Sequence, residues 1–122
     1  MIKFSIIQII IYEGQFMSVV TEEEVYKAIS TVIDPEVGFN LVEMGLIYDV
    51  IVLKNGHVSV KMTLSTRGCP LHQMMIQWVQ EAVVRETASE FCAVEIVWEP
   101  AWNVTMADES VKEALAKTGI GA

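Results

Sequence analysis

The chain has 122 residues, 52% hydrophobic and 20% charged, which suits one folded domain and argues against disorder or two domains. A net charge of −8 and a pI near 4.6 argue against nucleic acid or an anionic membrane as a main partner. Its two cysteines, Cys69 and Cys92, make no disulfide scaffold, and no Cys-x-x-Cys or His-x-x-x-His pair offers one chain a closed zinc site.

Phe4 to Tyr12 is an isoleucine-rich run of about half the length needed to cross a bilayer. Lys3 and the apolar run faintly suggest a signal peptide, but no small-x-small cleavage site follows and Glu13 intrudes. A second methionine, Met17, opens Ser-Val-Val-Thr-Glu-Glu-Glu, which reads like a natural start. The codons for Glu13-Gly14 can also carry a ribosome-binding sequence just upstream of it. Residues 1–16 are therefore read as a translated leader, and 17–122 as a single domain. The alternative is an extra β-strand, which the isoleucine content favours.

Thr21-Glu22-Glu23-Glu24 is a capping box, with Val25, Ala28, Ile29 and Val32 following at helical spacing. The helix must stop before Asp34-Pro35, since a residue preceding proline is pushed out of the α region. Asp34 to Asn40 then reads as an ordered loop. Its Asp34 and Glu36 carboxylates suit a metal or proton transfer, although such residues more often cap turns.

Gly45 to Leu64 reads as a β-hairpin around Asn55-Gly56. A three-residue loop, Lys54-Asn55-Gly56 with a glycine bulge, sorts the faces best. It sets Val52 against Val58, Val50 against Val60, Asp49 against Lys61, Tyr48 against Met62, Ile47 against Thr63 and Leu46 against Leu64.

Ser65-Thr-Arg-Gly-Cys-Pro-Leu71 links this hairpin to the next helix. Pro70 suits the first helical position, placing Cys69 at or next to the N-cap, where the helix dipole and Arg67 favour a thiolate. The alternative is a buried, inert cysteine filling a corner. His72, three residues on, can act as the base of Cys69 or share a ligand with it, or can simply be an exposed helix histidine. Leu71, Met74, Met75, Trp78, Val79, Ala82 and Val83 form the apolar stripe of that helix. Val94, Ile96 and Trp98 alternate with Glu95, Val97 and Glu99 as a third strand, with Cys92 a structural residue at its start. Asn103 to Met106 reads as a loop. Asp108 caps a last helix carrying Val111, Ala114 and Leu115, with a stop at Gly119-Ile120. The fold class is therefore α+β: two layers, with a small mixed sheet of a hairpin plus one further strand packed against about three helices.

Asp34-Pro35-Glu36, Asn40, Gly45-Leu46-Ile47-Tyr48-Asp49, Met62-Thr63-Leu64, Gly68-Cys69-Pro70 and Trp98-x-Pro100-x-Trp102 occur in one order. Together they resemble the PaaD-like and SufT-like family of iron–sulfur cluster assembly proteins, over about Val25 to Ile120. The resemblance implies an α+β fold and a cytoplasmic role in delivering or maturing clusters on client proteins. It also implies a functional cysteine at Cys69, with Asp34, Glu36 and Thr63 nearby. Arg67 stands where the family usually has proline, and Ser65 replaces a common threonine. The cysteine-bearing C-terminal extension of PaaD is missing, which makes the SufT-like branch the better comparison.

The implied cargo is a transient iron–sulfur cluster or iron touching Cys69, with none tightly bound by one chain. One thiolate cannot supply the four ligands of a cluster. A homodimer, a scaffold or client protein, His72, Asp34 or a small thiol must supply the others. The rival readings are an enzyme with Cys69 as nucleophile and His72 as base, and a metal-free client-binding adaptor.

Overall fold

The computed structural model describes residues 20–65, 67 and 70–118. The expected leader, Gly68, Cys69 and the Gly119-Ile120 stop lie outside these. The first helix, α1 (Glu22–Ile29), opens on the expected box: Thr21 Oγ1 accepts from the Glu24 N–H at 3.1 Å, and Glu24 Oε1 accepts from the Thr21 N–H at 3.3 Å. Two orphan donors are thus satisfied within one turn. Val25, Ala28 and Ile29 face inward, and the helix ends at Ser30, short of the proline boundary.

Strands β1 (Ile47–Val52) and β2 (Val58–Met62) form the antiparallel hairpin. Its loop is the three-residue one: Gly56 has φ 86°, and Leu53 N–H donates to the His57 carbonyl at 2.8 Å. Asp49 lies across from Lys61, Val50 from Val60 and Val52 from Val58. Nearer the start of β1 the simple register fails. Ile47, not Tyr48, pairs with Met62, so Tyr48 is an extra residue in a bulge. Leu46 does not face Leu64 as a strand pair; its carbonyl takes the Thr63 N–H at 2.8 Å, which also displaces the Ile47–Thr63 pairing.

The next helix, α2 (His72–Glu86), starts later than its sequence suggests. Leu71 is the N-cap, with no side-chain cap, and Pro70 lies in the preceding turn and not at the first helical position. The N-cap is therefore two residues past Cys69 in sequence, and not at or next to it as expected. The inward stripe is Met75, Val79, Ala82 and Val83; Met74, expected in it, is 46% exposed. Strand β3 (Cys92–Ile96) runs parallel to β2, giving a mixed sheet in the order β1-β2-β3. It stops before Trp98, because past Ile96 only the Val97 N–H still reaches back, to the Met62 carbonyl at 2.8 Å. Helix α3 (Glu109–Thr118) follows a single 3₁₀ turn at Val104–Met106, where the sequence suggests a loop; Asn103 caps that turn through its side chain.

One sheet face carries Val50, Val58, Val60, Met62 and Cys92 into a core shared with α1 and α2, and α3 adds Val111 and Leu115. The other face, with Asp49, Ile51, Lys61 and Glu95, is exposed. This is the two-layer α+β arrangement. No described helix is long and apolar enough to cross a membrane.

Candidate functional site

The core delivers Thr63 to the end of β2, two residues before Ser65 opens the turn into α2. Thr63 is fully buried, and its Oγ1 has no hydrogen-bond partner among the described residues. Buried hydroxyls are ordinarily paired, since an unpaired one costs about 1–3 kcal/mol.

Asp34 lies in the loop between α1 and β1 and is 3% exposed. Its main chain closes that loop: the N–H donates to Phe39 O at 2.8 Å, and the carbonyl accepts from Gly38 N at 2.8 Å. Its Oδ1 accepts the Glu36 N–H at 2.9 Å, an Asx turn. Asp34 therefore serves the turn, as the commoner reading of such residues has it, while its burial keeps the carboxylate from ordinary surface solvation. Glu36 is exposed. Among the described residues no hydrogen bond or ion pair joins Asp34 or Glu36 to Thr63, Arg67 or His72, and no three His, Cys, Asp or Glu side chains gather as a metal site.

Arg67 and His72 do come together, on Trp98, which the sequence places in a strand and in the Trp-x-Pro-x-Trp motif without giving it a role. The Arg67 guanidinium carbon lies 4.5 Å from the centroid of the Trp98 ring. The His72 ring meets the same indole edge-on, at 6.4 Å between centroids and 71° between planes. A cleft of about 130 Å³ sits here, lined by Leu64, Ser65, Arg67, Trp98 and Trp102 among others. A larger groove of about 360 Å³, beside Ile33, Trp78 and Arg85, is lined by none of the described candidate residues.

The segment after β3 is strapped down on both sides of this cleft. Tyr48 Oη donates to the Pro100 carbonyl at 2.8 Å, just after a cis Glu99–Pro100 bond. Trp102 Nε1 donates to the Met44 carbonyl at 2.6 Å. The Trp-x-Pro-x-Trp spacing was the signal for this wall, but only the fold shows what it touches. Cys92, by contrast, is 3% exposed on the sheet's inner face, and burial pushes its thiol up to about 11. It is a packing residue, as its position in the sequence suggests.

Residues 22–96 match the family model described as iron–sulfur cluster assembly protein. The chain belongs to this family. It is 34% identical to the Fe-S protein maturation auxiliary factor YitW of Bacillus subtilis, over 77% of this chain and 92% of that one. It is 38% identical to the Fe-S protein maturation auxiliary factor SufT of Staphylococcus aureus, over 69% of this chain and 96% of that one. Among solved structures, a conserved hypothetical protein from Thermotoga maritima superposes with a TM-score of 0.74 at 32% identity, covering 85% of this chain and 99% of that one. The family and the α+β fold inferred from the motifs both stand.

Proposed function

We propose that this chain is an iron–sulfur cluster maturation factor that helps deliver clusters to client proteins through the thiol of Cys69. The observation that carries the reading is the family match across α1, the hairpin, α2 and β3, with relatives named as Fe–S maturation auxiliary factors aligned over nearly their whole length. The buried Thr63 hydroxyl, six residues before Cys69 in sequence and without a partner among the described residues, supports it, because a buried unpaired polar atom calls for an explanation and a functional role is one.

The cluster is cargo here, not a resident group. Cys69 has one fellow cysteine in the chain, Cys92, and that one is sealed in the core. The remaining ligands of a four-ligand cluster come from His72 or Asp34 or from outside the chain. Open, shared ligation suits transfer, since a closed four-cysteine site would hold its cargo. A second copy of this chain, the scaffold that donates the cluster or the client that accepts it supplies the missing ligands. Arg67 and His72 flank the cysteine in sequence, with a cation and an imidazole on either side of it. Asp34 and Glu36 belong to the same functional set as supporting carboxylates. The chain works in the cytoplasm, and residues 1–16 lie outside the working domain; the family match begins only at residue 22.

The test is Cys69→Ser in cells lacking the native protein. The variant keeps a folded domain but fails to restore Fe–S enzyme activity. Asp34→Asn separates turn from charge, because an amide oxygen can still accept the Glu36 N–H. It gives a partial defect if the carboxylate acts, and none if the residue only holds the loop. A folded Cys69→Ser chain with full complementation removes the thiol from the mechanism. Anaerobic reconstitution followed by visible absorption then reads cluster loading directly, and deletion of 1–16 leaves both folding and activity intact.

A further inference from the structure

Arg67 and His72 bracket Cys69 in sequence, two residues before it and three after, and both side chains rest on one indole. We infer that Trp98 is a positioning residue that holds Arg67 and His72, on either side of Cys69 in sequence, through its contacts with both. The inference rests on the reading of Cys69 as the working thiol. Three observations carry it.

Leu71, the N-cap of α2, offers no side-chain hydrogen bond, and Arg67 makes no ion pair among the described residues. The anchor itself is held firmly. Val97, just before Trp98, donates to Met62 O at 2.8 Å, and Pro100, two residues after, accepts from Tyr48 Oη at 2.8 Å. Trp98 also packs against the hydrophobic core with part of its ring. Finally, the chemistry of the contacts fits an anchor. A guanidinium over an indole face is the stronger form of cation–π contact, and it orients the arginine without neutralising it. Arg67 therefore stays available as a positive charge two residues before the cysteine in sequence, while its own place is set by Trp98.

The Arg67–Gly68 bond lets trypsin read the anchor. Brief proteolysis of the intact chain measures how often the chain lets go at Arg67, and cleavage after Lys54, in the hairpin loop at the other end of β2, is the reference. Trp98→Ala should raise cleavage after Arg67 relative to Lys54 by about fivefold, the scale of one exposed cation–π contact. Trp98→Phe keeps a ring face and should restore most of the protection. In cells, Trp98→Ala should lower Fe–S enzyme activity and Trp98→Phe should recover it. Alkylation of Cys92 reports whether the core is intact. Should Trp98→Ala fail to fold, Arg67→Lys tests the same contact from the exposed side. It keeps a tryptic site but loses the planar stack, and cleavage at that bond should rise when scaled to the unfolded chain. A folded Trp98→Ala chain cut no faster after Arg67 overturns the inference, as does a Phe variant cut as fast as the Ala variant. Neither readout needs cluster or client, so protected Trp98→Ala with inactive Cys69→Ser removes the anchor alone. Cleaved Trp98→Ala with active Cys69→Ser removes the thiol alone.

Discussion

Tyr48 and Pro100, 52 residues apart, are joined by a hydrogen bond of 2.8 Å from phenol to carbonyl. The phenol oxygen also lies 3.5 Å from Met106 Sδ. This contact depends on the β-bulge: Tyr48 is the residue with no partner on β2, so its side chain serves the segment after β3 and not the hairpin. Tyr48→Phe should therefore lower stability by about 1 kcal/mol, the net value of one such bond, with little change in the sheet. Urea unfolding measures it, and an unchanged midpoint would show that the strap carries no stability.

Gly45 makes the complementary contact from the chain's other side. Its φ is 74°, and a Cβ placed there would land on the Met106 main-chain carbonyl, well inside contact distance. A left-handed conformation alone costs a non-glycine residue about 1–3 kcal/mol, and backbone cannot step aside as a flexible side chain can. Gly45→Ala should destabilise by more than about 2 kcal/mol. Gly56→Ala, with open space around it at φ 86°, should cost only the conformational part. The difference between the two thermal shifts isolates the Met106 contact.

Thr63→Val tests whether a buried hydroxyl is kept for function at the expense of stability. Removing an unpaired polar atom of similar shape should leave stability unchanged or raise it by about 1 kcal/mol. The same variant should lose part of its Fe–S maturation activity in cells. A clear drop in stability would show that the hydroxyl has a partner in solution. Full activity would make Thr63 a packing residue.

Cys92 sets an alkaline limit. Burial raises its thiol from 9.0 to about 11, so the folded chain holds a proton that the unfolded chain releases earlier. Stability from this group is fully present below about pH 9 and is lost as pH rises towards 11, a change of up to about 3 kcal/mol. Tyr26 and Tyr48, both raised chiefly by burial, add in the same direction above their usual range. Stability measured against pH should fall less steeply between 9 and 11 in Cys92→Ala than in the parent chain. Parallel curves would mean that water reaches Cys92.

The features that the sequence determined are those closed within a few residues. The Thr21–Glu24 box, the Lys54-Asn55-Gly56 loop and the Asp49–Lys61 pairing follow from capping geometry, turn chemistry and alternation, and each is present. The mixed sheet and the family motifs were legible for the same reason: strand and helix periodicities are local, and the motifs are short. Tertiary contacts decided the rest. Simple alternation puts Tyr48 across from Met62, but in the fold it sits in a bulge and bonds to Pro100. Helix α2 begins at His72 and not at Pro70, although proline favours a first helical position. The third strand gives out at Ile96, where the chain turns away and Trp98 receives Arg67 and His72. These choices turn on partners some 25 to 60 residues away in sequence, whose meeting is governed by how the core packs and not by any local preference.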